Sequence, residues 1–471
     1  MRECGKMEEN LFRKENGVYP EAFLRRMKTL LSGEYDDFLR TTEEAPARAL
    51  RTNPFKLPGG VPTDAMCGAL ALRPVPYAEN GYFFTSEKIG ATPWHHAGAF
   101  YVQDPGAMSA VAAVPVPKGA KILDLCAAPG GKSHQAIVRA GREGFLLANE
   151  YVPARAKITV GNFERLGIPN AMVTSLDTAV FPTLFDSYFD LVICDAPCSG
   201  EGMFRKNELA ADEWSEGAVL ASAKRQAQIL HNAAPLVAEG GILLYSTCTY
   251  SPEENEGVVD AFLAAHPDYR LIPAADAVRT VTADGITPPG ATSENLSDCR
   301  RFYPHRSHGE GQFLAVLRRV TGAKTPSILY KDASLPLTKE ENAVLSDFLG
   351  STTAELPSLV FRKHGENIVA LSSDMPVPKA SVFSAGVCVG RAEKGRLVPH
   401  HQFFSAYGAF FVRKVNLASD DPRLAAYLHG EEISSEGEGG YVAVLCDGIP
   451  LGGGKRVGDR VRNYYPKGLR V

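Results

Sequence analysis

Apolar residues recur at helical spacing near the start of the chain. Phe23, Met27, Leu30 and Leu31 form one stripe, with Arg25, Arg26 and Lys28 off it, so residues 18–56 read as helical. The pattern breaks between Leu57 and about Ala97, where Gly and Pro mix with Tyr77, Tyr82, Phe83, Phe84 and Trp94; short strands and loops are expected there. From about Ala120 the period alternates. Apolar strands are predicted at Lys121–Leu125, Gly144–Asn149, Ala171–Thr174, Phe189–Cys194, Gly241–Ser246 and Gln312–Leu317. Helices are predicted after the first strand to Arg139, and at Ala154–Leu166, Ala221–Val237 and Glu253–Ala265. Continuous apolar strands separated by helices of this length imply a parallel α/β sheet covered on both faces.

A linker near Val320–Pro326 closes that region. Thr338 with Glu341 forms a capping box that opens a helix to Phe348. Beyond it, Leu359–Lys363 and Asn367–Leu371 flank a His-Gly-Glu turn, and Asp447-Gly448 between strand-like runs signals a hairpin. The acidic stretch Gly430–Gly440 reads as a solvated loop, and no internal repeat is evident.

Length changes the picture first: 471 residues exceed one ordinary domain and suggest about three. With 45% hydrophobic and 22% charged residues the chain is globular in composition. A net charge of −4 does not mark a nucleic-acid binder, so any such contact must come from local basic patches. Nine scattered cysteines without a C-x-x-C pair support neither zinc nor a disulfide framework, and a reducing cytoplasmic setting is expected. The stretch MRECGKMEENLFRKENG lacks an apolar core and is not read as a secretory signal; no apolar run is long enough for a membrane span.

Three segments carry candidate chemistry. Asp124-Leu-Cys-Ala-Ala-Pro-Gly-Gly-Lys132 leaves a strand, turns on glycines and enters a helix, the place where open parallel sheets bind ligands. Lys132-Ser133 hints at a phosphate loop, but Cys126 stands where that motif needs glycine. Glu150 ends the next strand, where a carboxylate suits a ribose diol; a capping or surface acid is the plainer alternative. The second and third segments are Asp195-Ala-Pro-Cys-Ser-Gly-Glu-Gly-Met-Phe-Arg-Lys206 and Tyr245-Ser-Thr-Cys-Thr-Tyr250, at the exits of two apolar strands. A cysteine is more often a small buried hydrophobe, which is the reading for Cys194. Two thiols facing a cofactor loop suggest covalent catalysis instead. Adding a thiolate to carbon 6 of cytosine makes carbon 5 nucleophilic, and a base must later remove the carbon 5 proton. Asp195 suits a hydrogen bond near N3, and Lys206 would favour a nearby thiolate or phosphate. The target base must be unstacked to reach such a site.

These blocks resemble the Nop/Sun family of RNA cytosine-5 methyltransferases over the whole chain, and most the bacterial branch acting on small-subunit ribosomal RNA. The resemblance implies an α/β, Rossmann-like class I methyltransferase domain with a mostly parallel sheet over 101–320. It adds an α+β, RNA-binding N-terminal extension over 1–100, a small α+β linker domain over 321–384 and a β-rich PUA-like RNA-binding domain over 385–471. It implies S-adenosyl-L-methionine as cofactor, held by Cys126, Ala127, Ala128, Pro129, Gly130, Gly131 and Lys132. By the same resemblance Glu150 holds the ribose, Asp177 the adenine, and Asp195 the methionine end or the base. Cys248, in Ser-Thr-Cys-Thr-Tyr-Ser-Pro, would be the nucleophile and Cys198 the thiol that helps release product. Pro304-His305 through Gly311 is similar to the family's last catalytic-domain motif, while Gly106 stands where a serine is expected.

Residues 449–471 hold six basic residues (Lys455, Arg456, Arg460, Arg462, Lys467, Arg470) against one acid, Asp459, interleaved with Tyr464 and Tyr465. That composition suits phosphate contacts and base stacking, with Lys455, Arg456, Arg462, Tyr464 and Lys467 as the candidates; a solvated basic hairpin is the bland alternative. The expected substrate is 16S ribosomal RNA or the small subunit, and a monomer is expected. Alternatives are a transfer RNA cytosine-5 methyltransferase, a catalytically silent ribosome-assembly factor, or a DNA-type enzyme using the Pro197-Cys198 thiol.

Overall fold

Alternation along the central strands sorts the core into two layers. In a computed structural model describing residues 19–372, 376–379 and 381–471, Ile122, Leu146, Leu191, Ile193, Ile242 and Leu244 face one layer. Leu123, Leu147, Val192, Leu243 and Tyr245, their neighbours in sequence, face the other. Helices Gly131–Ala140 and Pro153–Leu166 cover the first face; Glu216–Ala233 and Glu256–Ala265 cover the second. Each such aliphatic side chain, fully buried, contributes roughly 1.5–3 kcal/mol, which is why a strand apolar on both sides is stable only between two helical layers.

Five strands run parallel in the order Ala171–Thr174, Phe145–Asn149, Lys121–Asp124, Phe189–Asp195, Val237–Thr247, and Gln312–Arg319 then pairs antiparallel to the last. The chain winds outward from Lys121–Asp124 in one direction and from Phe189–Asp195 in the other. Their carboxyl ends therefore open a crevice at the point of reversal. This is the expected Rossmann-like, mostly parallel sheet, and its edges are antiparallel.

Several elements differ from expectation. The long N-terminal helix is two, Glu21–Leu31 and Tyr35–Thr41, because the chain turns at Ser32 with φ of 48°. A strand, Ala49–Thr52, follows and belongs to a four-stranded sheet with Arg73–Pro74, Gly81–Phe83 and Phe100–Val102. Four residues are too few to show a period. The acidic stretch 430–440 is not all loop: Ile433–Ser434 pairs with Arg460–Val461 and buries Ile433. The expected boundary at 384/385 falls inside strand Val382–Ala385, which joins the edge of the central sheet against Ala171–Thr174. Likewise one four-stranded sheet (Val360–His364, Asn367–Leu371, Val387–Glu393, Arg396–Pro399) spans that boundary. A last five-stranded sheet holds Lys414–Leu417, Gly440–Cys446, Ile449–Val457, Arg460–Asn463 and Ile433–Ser434. The stretch MRECGKMEENLFRKENG and Cys4 lie outside the described residues.

The two ends of the chain share a core: Leu50, Leu57, Met66, Trp94 and Phe100 pack with Val415, Leu417, Leu424, Tyr427 and Tyr465. Lys56, buried between them, donates to the carbonyls of Ser405 (2.5 Å) and Pro450 (2.7 Å). Burial pushes its ammonium well below the usual lysine range. Among the described residues no helix is long and apolar enough to cross a membrane.

Candidate active site

Asp124 closes its strand fully buried. Its carboxylate accepts from the Ser133 hydroxyl (2.6 Å) and the Cys126 N–H (3.3 Å), which ties the start of the glycine turn to the helix that follows. Burial, only partly offset by Ser133, pushes the carboxyl up to about 7. Gly130 sits at φ 107°, and a Cβ there would come within 3.0 Å of the Phe163 ring. Arg51, from the N-terminal sheet, reaches this loop: it donates to the Gly131 carbonyl (2.7 Å) and to Gln103 (2.6 Å). Burial lowers its guanidinium to about 9. Sequence reasoning missed Arg51, and no local pattern marks it.

The crevice is lined with carboxylates. Glu150 is 4% exposed, accepts from the Val152 N–H (3.0 Å) and lies 3.3 Å from the half-exposed Arg155. Exposed Tyr151 and Val152 follow it. Asp177 is exposed and caps the turn after the Ala171–Thr174 strand through the Ala179 N–H (2.9 Å). Asp195 accepts from Lys132 Nζ (2.9 Å) and from the Ser246 hydroxyl (2.7 Å). Burial works against the Lys132 charge, but the Asp195 carboxylate, with smaller contributions from Cys248 and Asp124, holds the ammonium above its ordinary value. Three carboxylates beyond the carboxyl ends of three strands of this parallel sheet fit a ligand that carries a cationic amino-acid end and a ribose diol.

Cys198 and Cys248 follow neighbouring parallel strands whose last paired residues are Asp195 and Ser246. Their sulfurs lie 3.3 Å apart. The hydrogen bond to Cys248, together with burial, pushes the Cys198 thiol well above the usual thiol range, so Cys198 keeps its proton. Cys194 is fully buried within its strand, as expected. It hydrogen-bonds Cys126, and that bond and burial push the Cys126 thiol up as well.

Lys206 does not serve the thiols. It pairs with Asp104, which caps helix Pro105–Ala112 through the Gly106 N–H (2.8 Å). The cation whose charge acts with Cys248 is Lys132. Gly106, the departure from the expected serine, is required by space: a Cβ there would meet the Glu310 carbonyl at 2.2 Å. Glu310, in the Pro304–Gly311 motif, pairs with Arg205 Nε and Nη2, and His305 hydrogen-bonds Glu34 in the turn between the N-terminal helices (2.9 Å). Phe23 and Phe38 of those helices pack on Phe204, Tyr250 and Tyr303, so the apolar stripe seals the loops behind the thiols.

In the C-terminal sheet, Arg462 and Lys467 are exposed, while Lys455 stacks on the Tyr441 ring (5.4 Å) and Tyr464 packs edge-on to the same ring (6.1 Å). Arg456 is not available as expected: it is buried and donates to Ser435 (2.9 Å) and the Glu438 carbonyl (3.1 Å).

Residues 112–318 match the family described as 16S rRNA methyltransferase RsmB/F. Residues 19–105 match the N-terminal domain of 16S rRNA methyltransferase RsmF, and 414–471 the methyltransferase RsmF PUA domain. Ribosomal RNA small subunit methyltransferase F of Vibrio vulnificus (strain YJ016) is 29% identical, covering 96% of this chain and 98% of its own. The same-named protein of Klebsiella pneumoniae (strain 342) is 29% identical over 97% of each. Among solved structures, a methyltransferase homolog protein from Pyrococcus horikoshii superposes with a TM-score of 0.56 at 26% identity, covering 65% of this chain and 97% of that one.

Proposed function

Because the chain belongs to the RsmB/F family of 16S rRNA methyltransferases, we propose that it methylates carbon 5 of a cytosine in 16S ribosomal RNA through a covalent bond to Cys248. One observation carries the covalent reading: two thiols 3.3 Å apart at the ends of adjacent strands, beside the Lys132–Asp195 pair. The cofactor is S-adenosyl-L-methionine, which supplies an electrophilic methyl group when bound. The Gly130–Gly131 turn and Glu150 would hold it, with Asp177 toward the base of its nucleoside.

Cys248 acts as the thiolate that adds to carbon 6 of the ring, placing an electron pair at carbon 5. Lys132, whose ammonium the Cys248 charge helps to hold protonated, stands beside that thiolate as the counter-ion. Asp195, at the mouth of the crevice, faces the ring's N3 side and stabilises the electron-rich adduct by a hydrogen bond. After carbon 5 is substituted, solvent water in the open crevice takes its proton as base, the C–H electron pair re-forms the carbon 5–carbon 6 double bond, and the carbon–sulfur bond breaks with its electron pair returning to Cys248. Cys198, beside the sulfur that departs, supports this release. Exposed Arg462 and Lys467, with Lys455 and Tyr464, provide phosphate and stacking contacts to RNA. The protein acts as a monomer in the cytoplasm.

The decisive experiment incubates Cys198→Ala and Cys248→Ala proteins with the cofactor and 16S ribosomal RNA on a denaturing gel. A shifted RNA adduct with Cys198→Ala and none with Cys248→Ala is expected. The reverse pattern would transfer the nucleophile to the Pro197-Cys198 thiol.

A further inference from the structure

Each thiol-bearing loop carries a buried carboxylate that the chemistry above leaves unused, and each reaches across to the other loop. Glu201, just beyond Cys198, accepts from four donors, three of them on the Cys248 loop. Its Oε2 takes the Thr249 hydroxyl (2.8 Å) and the Tyr250 N–H (2.9 Å); its Oε1 takes the Ser251 hydroxyl (2.7 Å) and Trp214 Nε1–H (2.9 Å). The Gly202 N–H adds a bond to the Cys248 carbonyl (2.8 Å), at a place where a Cβ would lie 2.9 Å from that oxygen. Glu254, just beyond Cys248, does the converse. Its Oε2 accepts from the Ser199 N–H (2.9 Å) and the Gln226 amide (2.8 Å), and Gln226 also donates to the Pro197 carbonyl (2.9 Å). The hydroxyls of Ser199 and Thr249 join the loops directly (2.8 Å).

Past the last ladder bonds these loops have no sheet to hold them, and a buried carboxylate is tolerated only when donors surround it. We infer that Glu201 and Glu254 are positioning residues that lock the two loops to each other in a reciprocal clamp, setting the position of the Cys248 sulfur, on which adduct formation depends, and its separation from Cys198, on which release depends. The inference rests on the two-thiol reading above for its catalytic consequence, but not for its geometry.

The two carboxylates differ in a way that makes the clamp testable. Around Glu201, both oxygens face a fixed N–H, Tyr250 on one side and Trp214 on the other, and neither can turn to accept. A glutamine, whichever way its amide is flipped, points an NH2 at one of them. Around Glu254, Oε1 is buried without a partner, so a glutamine can place its carbonyl at Oε2 and its NH2 in that vacant position.

Two readouts separate geometry from chemistry. The first is cross-linking of the full-length protein by dibromobimane, which fluoresces only when it bridges two thiols; the signal that disappears in Cys248→Ala belongs to this pair. The second is the rate of RNA adduct formation in the Cys198→Ala background, with cofactor affinity and thermal melting as controls. Glu201→Gln is expected to slow both by at least about tenfold, leaving cofactor affinity unchanged. Trp214→Phe combined with Glu201→Gln, which removes the offending N–H, is expected to restore most of the loss. Glu254→Gln is expected to match the parent, and Glu254→Ala to lose cross-linking. Parental cross-linking in Glu201→Gln, or no recovery in the double variant, overturns the clamp. Should Glu201→Gln fail to fold, equal cross-linking of Glu254→Ala and Glu254→Gln overturns it. If cross-linking behaves as expected but no adduct ever forms, the two-thiol reading fails and the clamp stands.

Discussion

Cys194 lies inside its strand and Cys126 in the turn just past the neighbouring one; Cys198 and Cys248 lie further out on their loops. Both pairs share a hydrogen bond, and in both that bond and burial push a thiol well above its usual range. The inner pair packs in the second core layer among Leu123, Val192 and Tyr245. The outer pair sits on loops tied to the Lys132–Asp195 ion pair and to two buried glutamates. Proximity of thiols alone therefore does not make a reactive site. What distinguishes the outer pair is a neighbouring cation, Lys132, and loops that leave the sheet at its switch point.

The sharpest break of this comparison is Cys248→Ala, expected to reduce methyl transfer below detection while calorimetry shows unchanged cofactor affinity. Substantial residual turnover would erase the distinction between the pairs. Next, Cys198→Ala should lower turnover by about a hundredfold or more with accumulation of adduct; rapid release would remove Cys198 from the product step. Glu150→Ala tests the crevice itself, and a loss of about 10- to 100-fold in cofactor affinity is expected for a charged hydrogen-bonding group. Unchanged affinity would take Glu150 out of the site.

Smaller effects belong to the inner layer. Cys194→Ala should cost about 1–2 kcal/mol in denaturant unfolding and leave turnover nearly intact. Asp124 gives a pH test. Its folded-state value of about 7 lies above its ordinary 3.8, so the folded state binds a proton that the unfolded state has already released between those values. Stability from this group is fully present below about 3.8 and is lost as pH rises through about 7. Asp124→Asn should flatten that decline in melting temperature, although Glu164, raised to about 7 by burial, retains its own share. An unchanged slope would mean that Asp124 is not buried as a neutral acid.

The RNA-contact hypothesis for the C-terminal sheet needs point substitutions. Deleting residues 385–471 would strip Val415, Tyr427 and Tyr465 from the core they share with Leu50 and Trp94, and would take strand Val387–Glu393 from beside Asn367–Leu371. Loss of RNA binding in such a deletion would report unfolding. Arg462 and Lys467 are exposed and testable individually, whereas Arg456 is a structural donor.

What the sequence determined by itself is local in origin. Continuous apolar runs required a sheet covered on both faces, and strand-exit motifs placed Cys126, Asp195, Cys198 and Cys248 at one edge of it. Period and turn chemistry are written in neighbouring residues, so they are legible without coordinates. The tertiary structure alone decided which polar groups meet. Arg51 pins the Gly131 carbonyl, Lys56 joins the chain's two ends, and Lys206 turns to Asp104 rather than to a thiol. Gly106 is glycine because Glu310 crosses it, and Glu201 and Glu254 exchange grips between two loops. Such contacts join residues far apart in sequence. Which of them form depends on desolvation and on space left by packing, and neither leaves a period along the chain.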